Sequence, residues 1–445
     1  MANLTKGSKK LLNAWAFYDW ANSVYSLVIA SAVFPIFYQA LFSSAGVETV
    51  TVFGGEIRST PLISYTTAAA FLAVSILSPI LSGIADYVGN KKVFMKFFCY
   101  LGSVSCIALY FFDLDHIYIS LTFYFLGLIG FWASLVFYNS YLPDIAYKEQ
   151  QDSISAKGFS MGYIGSVVLL IFNLIMVLYP HLFGLGEGDE ASMKAMRISF
   201  ITVGVWWMSF SQYTFHHLPK GVSTGHKVTR SVIFNGFKEL KGVYNSLSEN
   251  IRLKRYLGAF FVYSMAVQTV MLVATYFGEK EICWCEGCED ISCSEKTIGL
   301  ILSILIIQLV AVLGAYLTSR ASFRYGNIPT LIVINIIWVA ICVVAFFIET
   351  PVQFYSTAGA VGLVMGGIQA LSRSTYSKFL PETEDTTSFF SFYDVAEKIG
   401  IVVGMIIYGF IDQITGSMRN SVLFLVLFFA TGVILLLRVP KNQSE

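Results

Sequence analysis

The sequence predicts an all-α membrane protein of twelve transmembrane helices arranged as two pseudo-symmetric six-helix halves, on three observations. First, 56% of the 445 residues are hydrophobic and only 13% are charged, an apolar content far beyond what one soluble core needs. Second, the apolar residues gather into twelve runs, each close to the roughly 20 residues that cross a bilayer. Third, one motif closes an apolar run in each half, as Asn139-Ser140-Tyr141-Leu142-Pro143-Asp144 and again as Tyr376-Ser377-Lys378-Phe379-Leu380-Pro381-Glu382. A second pair, Gly89-Asn90 and Gly326-Asn327, recurs at nearly the same offset. Such internal duplication is the pattern of a secondary transporter, whose substrate site lies between the repeats near mid-bilayer.

The first six runs lie near 16–40, 63–84, 93–112, 118–141, 159–180 and 197–215. The second six lie near 257–278, 298–318, 328–348, 353–374, 389–411 and 420–437. Continuous stretches such as Ile304-Leu305-Ile306-Ile307 demand helices, which satisfy their own backbone in lipid, and the alternation of a β-barrel is missing from the sequence. The expected domains are therefore a first half over 1–215, a cytoplasmic linker over 216–256 and a second half over 257–445. Within the basic linker, Ile233, Phe237, Leu240, Tyr244 and Leu247 recur at helical spacing with Lys238, Glu239 and Lys241 between them. That pattern suits an amphipathic helix lying on the inner membrane surface.

Most of the 29 Lys and Arg residues fall on the two termini and on the loops sharing their side, which puts both termini in the cytoplasm. The first run follows Lys6, Lys9 and Lys10 but contains Asp19 and lacks a small-residue cleavage site, so it is expected to remain as a span and not to be removed as a signal peptide. A net charge of +1 gives no long-range basic field and argues against a nucleic-acid partner.

Four of the seven cysteines, Cys283, Cys285, Cys288 and Cys293, share one loop over 279–296, which this orientation places outside. An even, clustered set suits disulfides in an oxidising compartment. Metal binding and free thiols are the alternatives, although the spacing is not that of a zinc ribbon and no His lies nearby. Cys99, Cys106 and Cys342 sit inside apolar runs and read as small apolar filler.

Charge inside the spans is the strongest functional signal. Asp19, Asn22, Ser23 and Ser26 form one polar stripe on the first helix, with Tyr18 beside it. On the eleventh, Asp394, Glu397 and Lys398 share a face next to Tyr393. An ionised group there costs roughly 3 kcal/mol unless paired. Lys398 therefore needs a partner, either Asp394 one turn away or Asp19 from the other half, and Glu397 is the better proton-site candidate if it is unpaired. Gln369 and Arg373 lie one turn apart on the tenth helix, where Arg373 is expected to snorkel to the cytoplasmic edge. Asn139, Gln268, Gln308 and Asn173 are candidates to line the path or to bridge helices. Glycines 162, 165, 362, 366, 367, 400 and 404 are expected at close helix crossings. No set of nucleophile, base and orienting group is present, so an enzyme is not expected, nor is a cofactor.

Two motifs carry a resemblance. Ser82-Gly83-Ile84-Ala85-Asp86-Tyr87-Val88-Gly89-Asn90-Lys91-Lys92 resembles the loop signature of the major facilitator superfamily, with Ser82 in place of a glycine and Asn90 in place of an arginine. In that superfamily the acid latches the halves on the cytoplasmic side, which assigns a gating role to Asp86 with Gly89 and Lys91. The corresponding position of the second half is Phe323, so one latch alone is complete. Ala14-Trp15-Ala16-Phe17-Tyr18-Asp19-Trp20-Ala21-Asn22-Ser23, Gly158 to Gly165, Gly366 to Ser374 and Thr415 to Arg419 resemble the vacuole-effluxer-like family of that superfamily. The family includes fungal autophagy-related proteins that export amino acids from the vacuole.

The resemblance implies a carrier and does not by itself imply any particular amino acid; the expectation is a monomer working by alternating access. Its expected partners are the bilayer, a small polar or amphipathic solute, amino-acid-like in the first instance, and protons as the coupling ion. The expected location is a bacterial cytoplasmic membrane, with a vacuolar membrane as the second choice. A lipid-like exporter or flippase and a non-transporting receptor or scaffold are the alternatives. Paired mid-helix charges argue against the last, because a scaffold has no reason to keep them.

Overall fold

The computed structural model describes residues 4–52, 54–221, 231–284 and 294–440. Among them are twelve long helices, in chain order α1 (Lys9–Ala45), α2 (Ser59–Val88), α3 (Lys91–Ala108), α4 (Ile117–Ser140), α5 (Lys148–Leu178), α6 (Asp189–His217), then α8 (Ile251–Glu281), α9 (Ser294–Tyr325), α10 (Asn327–Ala345), α11 (Pro351–Phe379), α12 (Thr386–Thr415) and α13 (Met418–Leu437). The amphipathic helix α7 (Ser231–Glu249) joins the two sets of six, and a short antiparallel hairpin, β1 (Thr49–Val52) and β2 (Gly55–Arg58), follows α1. Ten of the long helices are apolar enough throughout to cross a membrane by composition alone. The other two, α6 and α12, keep their polar side chains inside the protein: Ser199, Ser211 and Thr214 on one, Ser391, Asp394 and Lys398 on the other. The fold is the expected all-α, twelve-helix membrane architecture.

The duplicated glycine turns are visible in the backbone. Gly89 adopts φ 69° at the end of α2, its N–H donating to the Asp86 carbonyl (3.0 Å) while Asn90 N–H reaches the Ala85 carbonyl (3.1 Å). This left-handed cap satisfies the last carbonyls of the helix, and glycine takes that φ without a Cβ clash. Gly326 also takes a positive φ between α9 and α10, at 85°, but with ψ 162° it starts the next helix and does not cap the last one. The first helix departs from ideal α geometry, since Tyr25–Val33 is π-helical between two α-helical stretches. A π stretch shifts the register of the residues on either side, and such stretches recur at functional positions.

The chain forms two compact units. One comprises Met1–Asn139 and Ile164–Gly236, the other Ser140–Tyr163 and Phe237–Glu445. The division runs through α4 and α5, so the ends of those helices that meet at the Pro143 turn pack with the second unit. The first unit is held by aromatic side chains: Trp15, Tyr18, Tyr25, Phe34 and Phe37 of α1 are all buried, as is Trp207 of α6, and Trp206 Nε1 donates to the Trp20 carbonyl (3.1 Å). In the second unit, Val243 and Leu247 of α7 join the core while Lys238, Lys241 and Tyr244 are exposed, as its amphipathic pattern requires.

The crossing of α9 and α11 depends on glycine. A Cβ on Gly362 would lie 2.5 Å from the Ile307 carbonyl oxygen, and one on Gly366 or Gly314 would meet the Ala311 or Leu363 carbonyl at still shorter range. Backbones this close gain packing at little entropic cost, and a side chain cannot be accommodated without moving a helix. Gly366→Val is therefore expected to cost about 1–3 kcal/mol by overpacking and to lower the thermal midpoint in detergent. Gly258→Ala on α8, where a Cβ meets nothing within 4 Å, should keep or raise that midpoint, alanine being the better helix former; equal behaviour of the two variants would show that the crossing is not sterically limited.

Candidate functional site

The charged face of α12 builds the centre of the second unit. Lys398 has no exposed side-chain surface, and its Nζ lies 3.0 Å from Asp394 Oδ1 and 2.8 Å from Glu397 Oε2. The first contact follows from helix geometry, since positions i and i+4 are stacked neighbours. The second requires the lysine stem to curl across its own helix. Gln268 of α8 donates from Nε2 to Glu397 Oε1 (2.9 Å), and Gly404 lets α12 press onto α8 beside Met265 and Thr269. Aromatic rings wall the cluster: Tyr393 stacks on Phe260 at 4.1 Å and lies 4.9 Å from Tyr376. Two carboxylates thus face one ammonium. With all three ionised the cluster carries one surplus negative charge, which a proton or a cationic group on a substrate can neutralise. Glu397 is the more open of the two acids, at 18% side-chain exposure against 8% for Asp394.

The first unit presents its own buried acid. Asp19 is 4% exposed and accepts a hydrogen bond on Oδ2 from the Tyr138 hydroxyl of α4 (2.8 Å). Tyr138 is itself fixed by Trp15, whose Nε1 donates to the Tyr138 carbonyl (2.9 Å) and whose ring stacks on it at 4.5 Å. Tyr18 packs on the same ring at 5.0 Å. One turn on, Asn22 is 1% exposed and its amide nitrogen has no hydrogen-bond partner among the described residues. A buried unsatisfied donor is costly and marks a group kept for another purpose. Ser23 donates to Asn22 Oδ1 (3.4 Å), and Asn139 is half-buried at the end of α4.

A third cluster was not anticipated as a unit. Asp152 of α5 receives Lys378 Nζ of α11 (2.6 Å), Asn327 Nδ2 of α10 (2.9 Å) and the Ser322 hydroxyl of α9 (3.0 Å). Lys378 Nζ also donates to Asn327 Oδ1 (3.1 Å). Lys378 and Asn327 both belong to the duplicated motifs, but their common partner sits in a polar stretch with no pattern of its own. Arg373 departs from expectation. It is 3% exposed and does not snorkel: its Nε donates to Ser155 Oγ and a terminal nitrogen to the Ser155 carbonyl, both at 2.9 Å, while the guanidinium lies 4.2 Å from the Phe159 ring centroid. Two acceptors and an aromatic face inside the protein replace the water that snorkelling would have found. One turn earlier, Gln369 accepts from the Tyr163 hydroxyl (2.7 Å) and donates to Met271 Sδ (3.3 Å).

At the predicted gate, Asp86 is half-buried on the last turn of α2 and Lys91 is 9% exposed. The neighbouring Lys92 points inward, Nζ donating to the Leu218 carbonyl (2.6 Å) at the end of α6. In the cysteine loop, Cys283 is disulfide-bonded and its N–H donates to the Glu349 carbonyl (3.1 Å). Cys285, Cys288 and Cys293 lie outside the described residues.

Twelve long helices, ten of them apolar enough to cross a membrane, with ion-paired charge buried among them fit a membrane carrier of the major facilitator type, a secondary transporter and not an enzyme. Comparison with known proteins agrees. The family model described as "Vacuole effluxer Atg22 like" matches residues 7–445, and the chain belongs to that family. It is 31% identical over 442 residues to the uncharacterized MFS-type transporter YxiO of Bacillus subtilis, covering 99% of this chain and 97% of that one. Autophagy-related protein 22 of Saccharomyces cerevisiae is 22% identical, over 99% of this chain and 94% of its own. Among solved structures, the major facilitator transporter FucP in its outward conformation superposes with a TM-score of 0.69 at 13% identity, over 97% of this chain and 99% of that one.

The Asp152 cluster yields a direct test. Asp152→Ala strips Lys378 and Asn327 of their shared acceptor, while the double variant with Lys378→Ala removes the stranded charge as well. A double-mutant cycle on thermal stability is expected to give a coupling of roughly 1–3 kcal/mol. Additive single effects would show that the ion pair contributes nothing.

Proposed function

We propose that this protein moves a small polar or amphipathic solute, amino-acid-like in the first instance, across a bacterial cytoplasmic membrane by alternating access, with protons as the coupling ion and both termini cytoplasmic. The observation that supports it best is the unequal charge set on α12, in which Lys398 faces both Asp394 and Glu397. Two acids beside one ammonium give the site groups that can exchange a proton or meet a cationic group on a substrate. A zwitterion fits such a set, its carboxylate towards Lys398 and its ammonium towards an acid. Gln268, Tyr393 and Gln369 are then hydrogen-bonding and aromatic walls, and Tyr18, Asp19, Asn22, Ser23 and Asn139 are the contribution of the first half. In this reading Asp19 and Lys398 are each required for transport, and Asp86, Gly89 and Lys91 form the cytoplasmic latch.

Reconstituted vesicles screened with amino acids under an imposed pH gradient test this directly. Lys398→Gln should lower transport at least roughly tenfold, since it strands the Asp394 and Glu397 carboxylates and an unpaired buried charge costs roughly 3–5 kcal/mol, and Asp19→Asn should lower it by removing the carboxylate that accepts from Tyr138. Wild-type transport in both single variants would remove the proposed site.

Orientation has its own check. On intact cells an impermeant thiol reagent is expected to label the 279–296 loop only after reduction, because Cys99, Cys106 and Cys342 are buried. Labelling confined to inverted vesicles would reverse the topology.

A further inference from the structure

An apolar groove of about 480 Å³ opens between α9, α10 and α11, apart from the charged site. This is within the roughly 300–1,000 Å³ of small-ligand sites. Gly314 and Ala321 leave it deep, and Leu317, Val333 and Ile337 line it while remaining 54%, 56% and 40% exposed. Exposed apolar side chains in the middle of spanning helices face hydrocarbon, so the groove opens to the bilayer and not to water.

Its length and its end identify an occupant. Gly314, Leu317, Ala321 and Arg324 succeed one another along one stripe of α9, and at 1.5 Å per residue the stripe runs about 15 Å, half of the roughly 30 Å hydrocarbon core. A groove one leaflet long is filled by one lipid's chain. At its end stands Tyr325, which lines the groove and lies 64% exposed, with the Arg324 guanidinium 5.5 Å from its ring centroid. One turn back Arg320 rests 4.8 Å from the Tyr316 ring. Both arginines are exposed and neither has a carboxylate partner among the described residues. Two unpaired guanidiniums where an apolar groove reaches the headgroup level complement a phosphate.

We infer that this groove is a binding site for an anionic phospholipid, its acyl chain laid along Gly314–Ala321 and Val333–Ile337 and its phosphate held by Arg320 and Arg324. Binding would brace α10 against the close α9–α11 crossing and so stabilise the folded second half. The test is the thermal midpoint of the detergent-purified protein with added dioleoylphosphatidylglycerol or dioleoylphosphatidylcholine. The wild type should gain several degrees more from the anionic lipid, as expected for a ligand that binds the native state alone. Arg320→Gln with Arg324→Gln should abolish the difference while keeping the midpoint in phosphatidylcholine, and Ala321→Trp should fill the groove and abolish it too. Equal stabilisation of the wild type by both lipids, or a preference that survives the double arginine variant, would overturn the site. So would conversion of a dimer to a monomer by Ala321→Trp without any lipid preference, which would assign the groove to a second copy of the chain.

Discussion

Hydrocarbon offers no hydrogen bonds, and that single constraint organises this molecule. Every backbone group in a span must be satisfied within its own helix, and every polar side chain must find a partner in the protein. Long helices follow from the first demand. The second explains why Asp19 meets Tyr138, why Glu397 meets Gln268, and why Arg373 turns to Ser155 and Phe159 in preference to the membrane edge.

Apolar contacts alone distinguish poorly between helix neighbours in lipid, because tails are as apolar as leucine. Shape has to supply the specificity. On the α9–α11 face glycines bring backbone onto backbone, and in the first unit stacked aromatic pairs such as Trp15 with Tyr138 and Tyr25 with Phe131 interlock α1 with α4. Both halves use both devices: Gly102 with Gly130 and Gly204 with Ser103 make backbone contacts in the first, and Trp338 stacks on Phe429 in the second. Their duplicated turns persist because a left-handed glycine between consecutive helices has no cheap substitute, as at Gly89 and Gly326.

The fold was largely legible because its signals are local. Twelve apolar runs, the glycine turns and the helical spacing in the linker can each be read within a few dozen residues, and each corresponds to an element found. The charged triad on α12 was legible for the same reason, since Asp394 and Lys398 are one turn apart. What could not be read was long-range partnership. Tyr138 is far from Asp19 in sequence and carries no pattern that marks it as a donor, and the convergence of Asp152, Lys378, Asn327 and Ser322 draws on four helices. Arg373 was misplaced because the snorkelling rule assumes that water is the best partner within reach. A serine with two acceptors and a phenyl ring were closer.

The clusters also differ in a way that bears on what each can do. Around Asp152 the charges balance one to one, and every hydrogen-bonding atom of the Asn327 and Lys378 side chains that meets it is matched by an acceptor or donor. Such a set resists change, because any exchange leaves a buried charge uncompensated. On α12 two acids share one lysine, and Glu397 is the more exposed of the two. An acid that shares its counter-charge and keeps some exposure can exchange a proton or a solute's cationic group without stranding the lysine, which is why the proposed transport site is put on α12 and not at Asp152.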